Sequence, residues 1–163
     1  MQITYQPIGT IHSPFTELGG MPIQPTSESS AKGYIDIHPE FVEGLKDLDG
    51  FSHIYLIYHL HKSAQVKLTV TPFLDTKQHG VFATRAPSRP NPIGLSLVRL
   101  VSIDQARIQI EQIDVLDGTP LLDLKPFIPT FEPSENIRTG WLANASGTVQ
   151  KARADRRFLN KPE

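Results

Sequence analysis

The segment Phe51-Ser52-His53-Ile54-Tyr55-Leu56-Ile57-Tyr58-His59-Leu60-His61 has the period of a β-strand. Successive side chains in a strand point to opposite faces. Ile54, Leu56, Tyr58 and Leu60 therefore share one face, and His53, Tyr55, Ile57, His59 and His61 share the other. Shorter β-rich runs surround this one. Strands are expected over 3–11, 34–37, 66–70, 79–83, 93–103, 107–115 and 121–127, with Asp104-Gln105-Ala106 turning one hairpin. Residues 39–48 read as one short helix. Pro39 suits a first helical position, Phe41, Leu45 and Leu48 share a face, and Asp49-Gly50 ends it. Residues 12–31 read as a long loop, and a helical turn is expected within 132–140. The 14 prolines and 11 glycines keep every element short. Together these elements predict a mainly β, single-domain, closed or nearly closed β-barrel with one short helix; a two-sheet sandwich is the other arrangement.

Composition narrows the function classes. A chain of 163 residues, 39% apolar and 20% charged, is expected to fold as one domain. The absence of cysteine excludes a disulfide scaffold, a Cys-ligated zinc, an iron–sulfur cluster and a cysteine nucleophile. No stretch approaches the roughly 20 apolar residues of a membrane span. The opening residues carry no basic and apolar leader, so a cytoplasmic location without a membrane partner is expected. The net charge of −1 hides a division. Residues 77–107 carry a net +4 and residues 148–163 a net +3, against −8 on the remainder. Local positive charge on an acidic body marks either a polyanion surface or a solvated tail with scattered arginines.

Three constellations are candidates for chemistry. The densest is Ala83-Thr84-Arg85-Ala86-Pro87-Ser88-Arg89-Pro90-Asn91-Pro92-Ile93-Gly94. Its three prolines stiffen the backbone ahead of any ligand, and its two arginines can fork onto a carboxylate or phosphate. The second is Asp114-Val115-Leu116-Asp117-Gly118-Thr119-Pro120-Leu121-Leu122-Asp123-Leu124-Lys125-Pro126. Asp117-Gly118 reads as a turn. Asp123 lies between Leu122 and Leu124, where an acid needs a partner, and Lys125 shares its face. The third is the pair His59 and His61, spaced like two ligands of a barrel metal site. A polar wall or a proton acceptor is the preferred reading there, and no metal is expected. Nucleophile-elbow, P-loop and dinucleotide-binding motifs are absent.

These residues resemble the TsaA-like, or TrmO, family. The likeness rests on residues 82–94, on residues 117–126, on the opening Pro7-Ile8-Gly9-Thr10-Ile11-His12-Ser13-Pro14-Phe15 with Gln24-Pro25, and on Gly44-Leu45 through Gly50-Phe51-Ser52-His53; it extends over roughly residues 5–142. The resemblance implies a β-barrel that binds S-adenosylmethionine, forms a homodimer and methylates N6 of threonylcarbamoyladenosine at position 37 of tRNA. It puts the cofactor against Arg85, Pro87, Arg89, Asn91, Ile93, Gly94 and Leu95 of the first motif, and Thr119, Leu121 and Asp123 of the second. His53, His59 and Asp123 are the candidate bases. Tyr55 or Phe127 is a candidate platform for the flipped base, and Arg138 with the basic tail a candidate phosphate contact. Residues 1–147 are expected to form the barrel domain and residues 148–163 the basic tail. A non-catalytic cofactor-binding regulatory module, a methyltransferase for another substrate and a His59/His61 metalloenzyme are the competing readings.

Overall fold

The computed structural model describes residues 1–19, 21, 31–63, 65–133, 135–144, 155 and 158. Gln24, Pro25 and the basic residues of the tail lie outside the described residues. Among the described residues eight strands form: β1 (Gly9–His12), β2 (Lys32–Ile37), β3 (His53–His59), β4 (Thr69–Val70), β5 (His79–Gly80), β6 (Ile93–Asp104), β7 (Arg107–Glu111) and β8 (Thr119–Pro126). Six close into a barrel in the order β1-β2-β7-β6-β3-β8, every neighbour antiparallel. The sandwich alternative is thereby excluded. Strands β4 and β5 pair only with each other.

The alternation read in β3 is the one observed. Ile54, Leu56 and Tyr58 are buried inside, while His53, Tyr55, Ile57 and His59 face outward. Register then stacks apolar partners across the ladders: Ile11 against Ile35, Ile35 against Ile108, Leu100 against Ile110 and Ile54 against Val98. A barrel this narrow has no lumen, and its interior is filled by side chains. Ile11, Ile35, Ile54, Leu56, Val98, Ile108, Ile113 and Leu121 are fully buried in one cluster. Burial of this set is the main favourable term in folding.

Several boundaries differ from the sequence reading. The first strand begins at Gly9, and the long run from 107 ends at Glu111. The segment expected to be a single helix is a 3₁₀ helix, Pro39–Leu45, followed by a second turn, Leu48–Gly50. Asp47 between them adopts a left-handed conformation with φ 66°, which an α-helix does not accommodate. The packing function survives: Phe41, Val42, Leu45 and Leu48 lie against the core. The helical turn expected within 132–140 forms instead on either side of it, at Pro129–Phe131 and Gly140–Asn144, and the strand expected over 79–83 gives way after Gly80 to a turn at Val81–Ala83.

The end of the barrel where β3 finishes and β6 and β8 begin is where the two long motifs meet. Tyr58 pairs there with Gly94 on one side and Leu121 on the other. A Cβ on Gly94 would run into the Tyr58 ring, so this glycine serves close packing. Replacing it should force the strands apart at their tightest point. Gly94→Ala is expected to lower stability by about 1–3 kcal/mol; a urea transition unchanged from wild type would refute the close approach.

Candidate functional site

Two cavities open beside the Arg85–Pro87 segment. The first, about 170 Å³, takes its walls from Tyr58 and His61 at the end of β3, Arg85 and Pro87 of the first motif, and Asp114, Leu116 and Thr119 of the second. The second, about 340 Å³, is largely aromatic and apolar, with Phe73, Phe82, Trp141, Leu142 and Phe158 around the same Arg85 and Pro87. Two motifs roughly 30 residues apart in the chain are thus brought to one place by barrel closure.

The two arginines of the first motif have different tasks. Arg89 turns inward. Its Nη1 donates to the carbonyl oxygens of Thr84 at 2.8 Å, Val81 at 3.1 Å and Ala86 at 3.4 Å. It clamps its own loop, lies against the Phe82 ring, and lines neither cavity. The Ser63 hydroxyl holds the Pro87 carbonyl at 2.8 Å from outside the motif. Arg85 is exposed, lines both cavities, and makes no hydrogen bond or ion pair to a described residue. A stiff loop therefore presents a guanidinium that no described residue engages.

A polar chain lies under the first cavity. The Ser96 hydroxyl donates to Asp114 Oδ1 at 2.6 Å, and the Tyr58 hydroxyl lies 3.0 Å from Ser96 Oγ. Ser96 has one proton and gives it to the carboxylate, so Tyr58 donates to Ser96. Burial pushes the Tyr58 hydroxyl pKa up. Burial also raises Asp114 to about 6, against the smaller lowering by the Ser96 bond and by Arg85. His61 on the same wall is shifted below its ordinary range, first by burial, then by Lys62 and His59. Thr119 Oγ1 gives its proton to the Leu116 carbonyl at 2.7 Å and lies 3.4 Å from His61 Nδ1. A neutral His61 that donates from Nδ1 to Thr119 keeps Nε2 as a free acceptor.

The other expected site residues are distributed elsewhere. Leu121 is fully buried in the barrel core, and Gly94 packs under Tyr58. Asn91 is exposed, and its carbonyl accepts from the Ile93 amide at 2.8 Å. Ile93 and Leu95 are exposed on the outer face of β6. Asp123 stands opposite Ile57 on the outer side of the sheet, 2.9 Å from Lys125 Nζ. Tyr55 donates to Glu132 at 2.9 Å and meets Phe127 edge-on. His53 contacts Ser52 and Phe127, His59 is exposed, and Arg138 is exposed beyond the barrel. Of the expected residues, Arg85, Pro87 and Thr119 line the cavities, while Tyr55, Ile93, Leu95 and Asp123 share the outer face of β3, β6 and β8.

Sequence reasoning missed Asp114, Tyr58 and Ser96. A signal for Asp114 was present, because it lies between the buried Ile113 and Val115 just as Asp123 lies between two leucines. Tyr58 and Ser96 carry no such signal, since either residue is ordinary in a strand. Among the described residues no group of three or more His, Asp or Glu side chains is placed to hold a metal ion. No helix among them is long and apolar enough to cross a membrane.

Residues 10–133 match the family model described as the tRNA-methyltransferase O N-terminal domain. The chain belongs to the TrmO family. It is 51% identical over 160 residues to a protein of Pyrococcus abyssi named a probable S-adenosyl-L-methionine-binding protein, covering 98% of this chain and 87% of that one. It is 32% identical over 139 residues to the human tRNA (adenine(37)-N6)-methyltransferase, covering 81% of this chain and 32% of the human one. The crystal structure of TrmO from Pseudomonas aeruginosa superposes with a TM-score of 0.73 at 38% identity, covering 86% of this chain and 63% of that one. The chain therefore spans most of the first relative and about a third of the human enzyme. TrmO membership fits a barrel whose two motifs converge at one mouth.

The division of labour between the arginines is measurable. Arg89→Ala is expected to lower folding stability by about 1.5–3 kcal/mol, because a charged donor to three carbonyls is lost. Arg85→Ala is expected to change it by less than about 0.5 kcal/mol. Equal denaturation midpoints for the two variants would contradict the assignment.

Proposed function

We propose that this protein transfers the methyl group of S-adenosylmethionine to N6 of threonylcarbamoyladenosine at position 37 of tRNA. Membership of the TrmO family supports the reaction class. The observation that carries the reading is the meeting of Arg85 and Pro87 with Thr119 and Leu116 on one cavity wall.

The side chains present suit the cofactor. Arg85 offers its guanidinium to the cofactor's carboxylate. Tyr58, Val115, Leu116 and Phe73 offer apolar surface to its adenine and ribose. When bound, it supplies a methyl group on a sulfonium, open to in-line attack. The chain's own contribution is geometric: the proline-stiffened loop and the core-anchored Tyr58 hold the walls fixed. The second cavity shares Arg85, Pro87, Phe73 and Phe158 with the first, and its Phe82 and Trp141 suit a splayed base. The acceptor N–H lies beside a carbonyl and is a weak nucleophile, so its proton needs an acceptor. His61 lines the first cavity, and burial holds its imidazole below the ordinary range, so it is the group that can accept that proton. His53, His59 and Asp123 lie on the outer face and would act only if a second copy brings that face to the site.

We also propose a homodimer, docked through the outer face of β3, β6 and β8, and a cytoplasmic location. Leu95 and Ile93 are 47% and 41% exposed there, next to the Asp123–Lys125 pair. Opposite charges side by side are self-complementary about a two-fold axis.

Methyl transfer from labelled S-adenosylmethionine to tRNA, with and without the threonylcarbamoyl group, tests the reaction. Label is expected only in the hypermodified adenosine of the modified pool. Label in both pools would point to another nucleoside, and cofactor binding without label in either would favour a regulatory module. Arg85→Ala is expected to weaken cofactor binding more than tenfold, about 1.4 kcal/mol. Light scattering tests the assembly: wild type should have the mass of a dimer, and Leu95→Glu that of a monomer. A monomeric wild type would refute the interface.

A further inference from the structure

Trp141, the single tryptophan of the chain, lies beyond residues 10–133 that match the family domain, yet it is fastened to the first motif. Gly140 before it adopts φ 58°, a left-handed conformation that glycine takes without strain, and opens the turn Gly140–Asn144 that carries the indole. The indole Nε1 donates to the Ala83 carbonyl at 2.9 Å, two residues before Arg85. The His79 ring of β5 lies flat against the indole, with centroids 4.7 Å apart and planes 20° from parallel. Asp75 holds that ring in turn. Its Oδ2 is 2.9 Å from His79 Nε2, and its Oδ1 accepts from the amides of Thr76 at 2.6 Å and Lys77 at 3.2 Å. These bonds, the one to His79 most of all, keep the Asp75 carboxyl below its ordinary range, so Asp75 is the ionised acceptor and His79 Nε2 carries the proton.

A second wall of the same cavity is supported in the same way. Phe82 lines it while remaining 76% exposed, and the Arg89 guanidinium lies 5.8 Å from its ring centroid, itself clamped by the loop carbonyls. Each aromatic is thus supported by a group that is itself hydrogen-bonded. Rigid aromatic faces beside the Arg85 cation suit a flat ring carried on a phosphate backbone, which is a nucleobase of single-stranded RNA. We propose that Trp141 is the stacking wall for the methyl-accepting base of the tRNA anticodon loop, and that His79 and Asp75 are positioning residues that hold its indole. This rests on the reading of the second cavity as the seat of that base. The cofactor's adenine has apolar surface of its own in the first cavity, on Val115 and Leu116.

The tether has a physical purpose. An indole on a segment outside the barrel loses side-chain freedom when a base stacks on it, and fixing it beforehand removes that cost. A stack made equally in the ground state and the transition state changes KM and leaves kcat nearly alone. A residue that acts only by holding the indole contributes nothing once the indole is gone.

Trp141 is its own probe, since no other tryptophan emits. Added to the full chain, an anticodon stem–loop RNA carrying threonylcarbamoyladenosine at position 37 is expected to quench its emission. The same RNA with an abasic site at position 37, at saturation, should not. Emission unchanged by the modified RNA, or equal quenching by the abasic one, overturns the proposal. Trp141→Ala should raise KM for the modified RNA about tenfold, with kcat and the Kd for S-adenosylmethionine within about twofold of wild type. Trp141→Phe, which keeps an aromatic face against His79, should recover most of that loss. His79→Ala and Asp75→Ala should each raise KM about threefold alone and add nothing in the Trp141→Ala background. Additive effects overturn the positioning role. A wild-type KM in Trp141→Ala, or a loss confined to the cofactor's Kd, overturns the stacking role. Should Trp141→Ala fail to fold, the emission of wild type with the two RNAs decides. A wild type that methylates the RNA while Trp141 fails these tests loses the assignment and keeps the reaction. A wild type that binds S-adenosylmethionine but neither binds nor methylates the RNA overturns the reading of the cavity as well.

Discussion

Strand β3 is hydrogen-bonded along both edges, to β6 on one side and β8 on the other, and the rest of the molecule depends on that double pairing. The two partners come from segments that begin some 35 and 60 residues further along the chain. Each brings one of the two motifs to its own first residues. Antiparallel pairing therefore puts the end of β3 and the starts of β6 and β8 at the same mouth. The ring of Tyr58 against Gly94 sets how closely the strands approach there. A bulge in β8, between the pairings of Ile57 with Asp123 and Tyr58 with Leu121, turns Leu121 inward and Asp123 outward. One extra residue in the ladder thus separates two neighbouring positions of the second motif into core and surface.

The first motif is rigid for reasons internal to it. Prolines restrict its backbone, and Arg89 satisfies three of its carbonyl groups at once. Such a loop holds its shape without a ligand. Arg85 is then the one arginine of the pair left to face solvent and both cavities. The same residue type, four positions apart, serves structure once and recognition once.

Charge balance shows the same economy. Three of the five basic residues in 77–107 are paired or enclosed. Arg107 forms a two-pronged pair with Asp36, at 2.7 and 2.9 Å, over the Tyr34 ring; the guanidinium holds the Asp36 carboxyl below its usual range. Arg99 pairs with Glu111 across the β6–β7 ladder, and Arg89 is enclosed by its loop. Exposed pairs like these add little stability, but they remove the charges from any long-range field. The described surface that remains basic beside the cavities is narrow, centred on Arg85 with Lys62.

The class of fold and the longer strands are legible in the residues alone, because a period of two is a local property and β3 carries it without interruption. The sequence also identified the two motifs, and it marked Arg85 as a residue able to grip an anion. It did not distinguish Arg85 from Arg89, because which guanidinium turns inward depends on where the loop carbonyls lie in space. Leu121 and Gly94 read as contacts within a motif, yet one fills the core and the other makes room for a ring. Those outcomes depend on register, and register is set by partners distant along the chain. The polar chain from Tyr58 through Ser96 to Asp114 joins three separate segments and has no signature in any one of them. Only closure of the barrel brought an acid, an arginine and a shared cavity together, since long-range pairing places side chains that no local pattern relates.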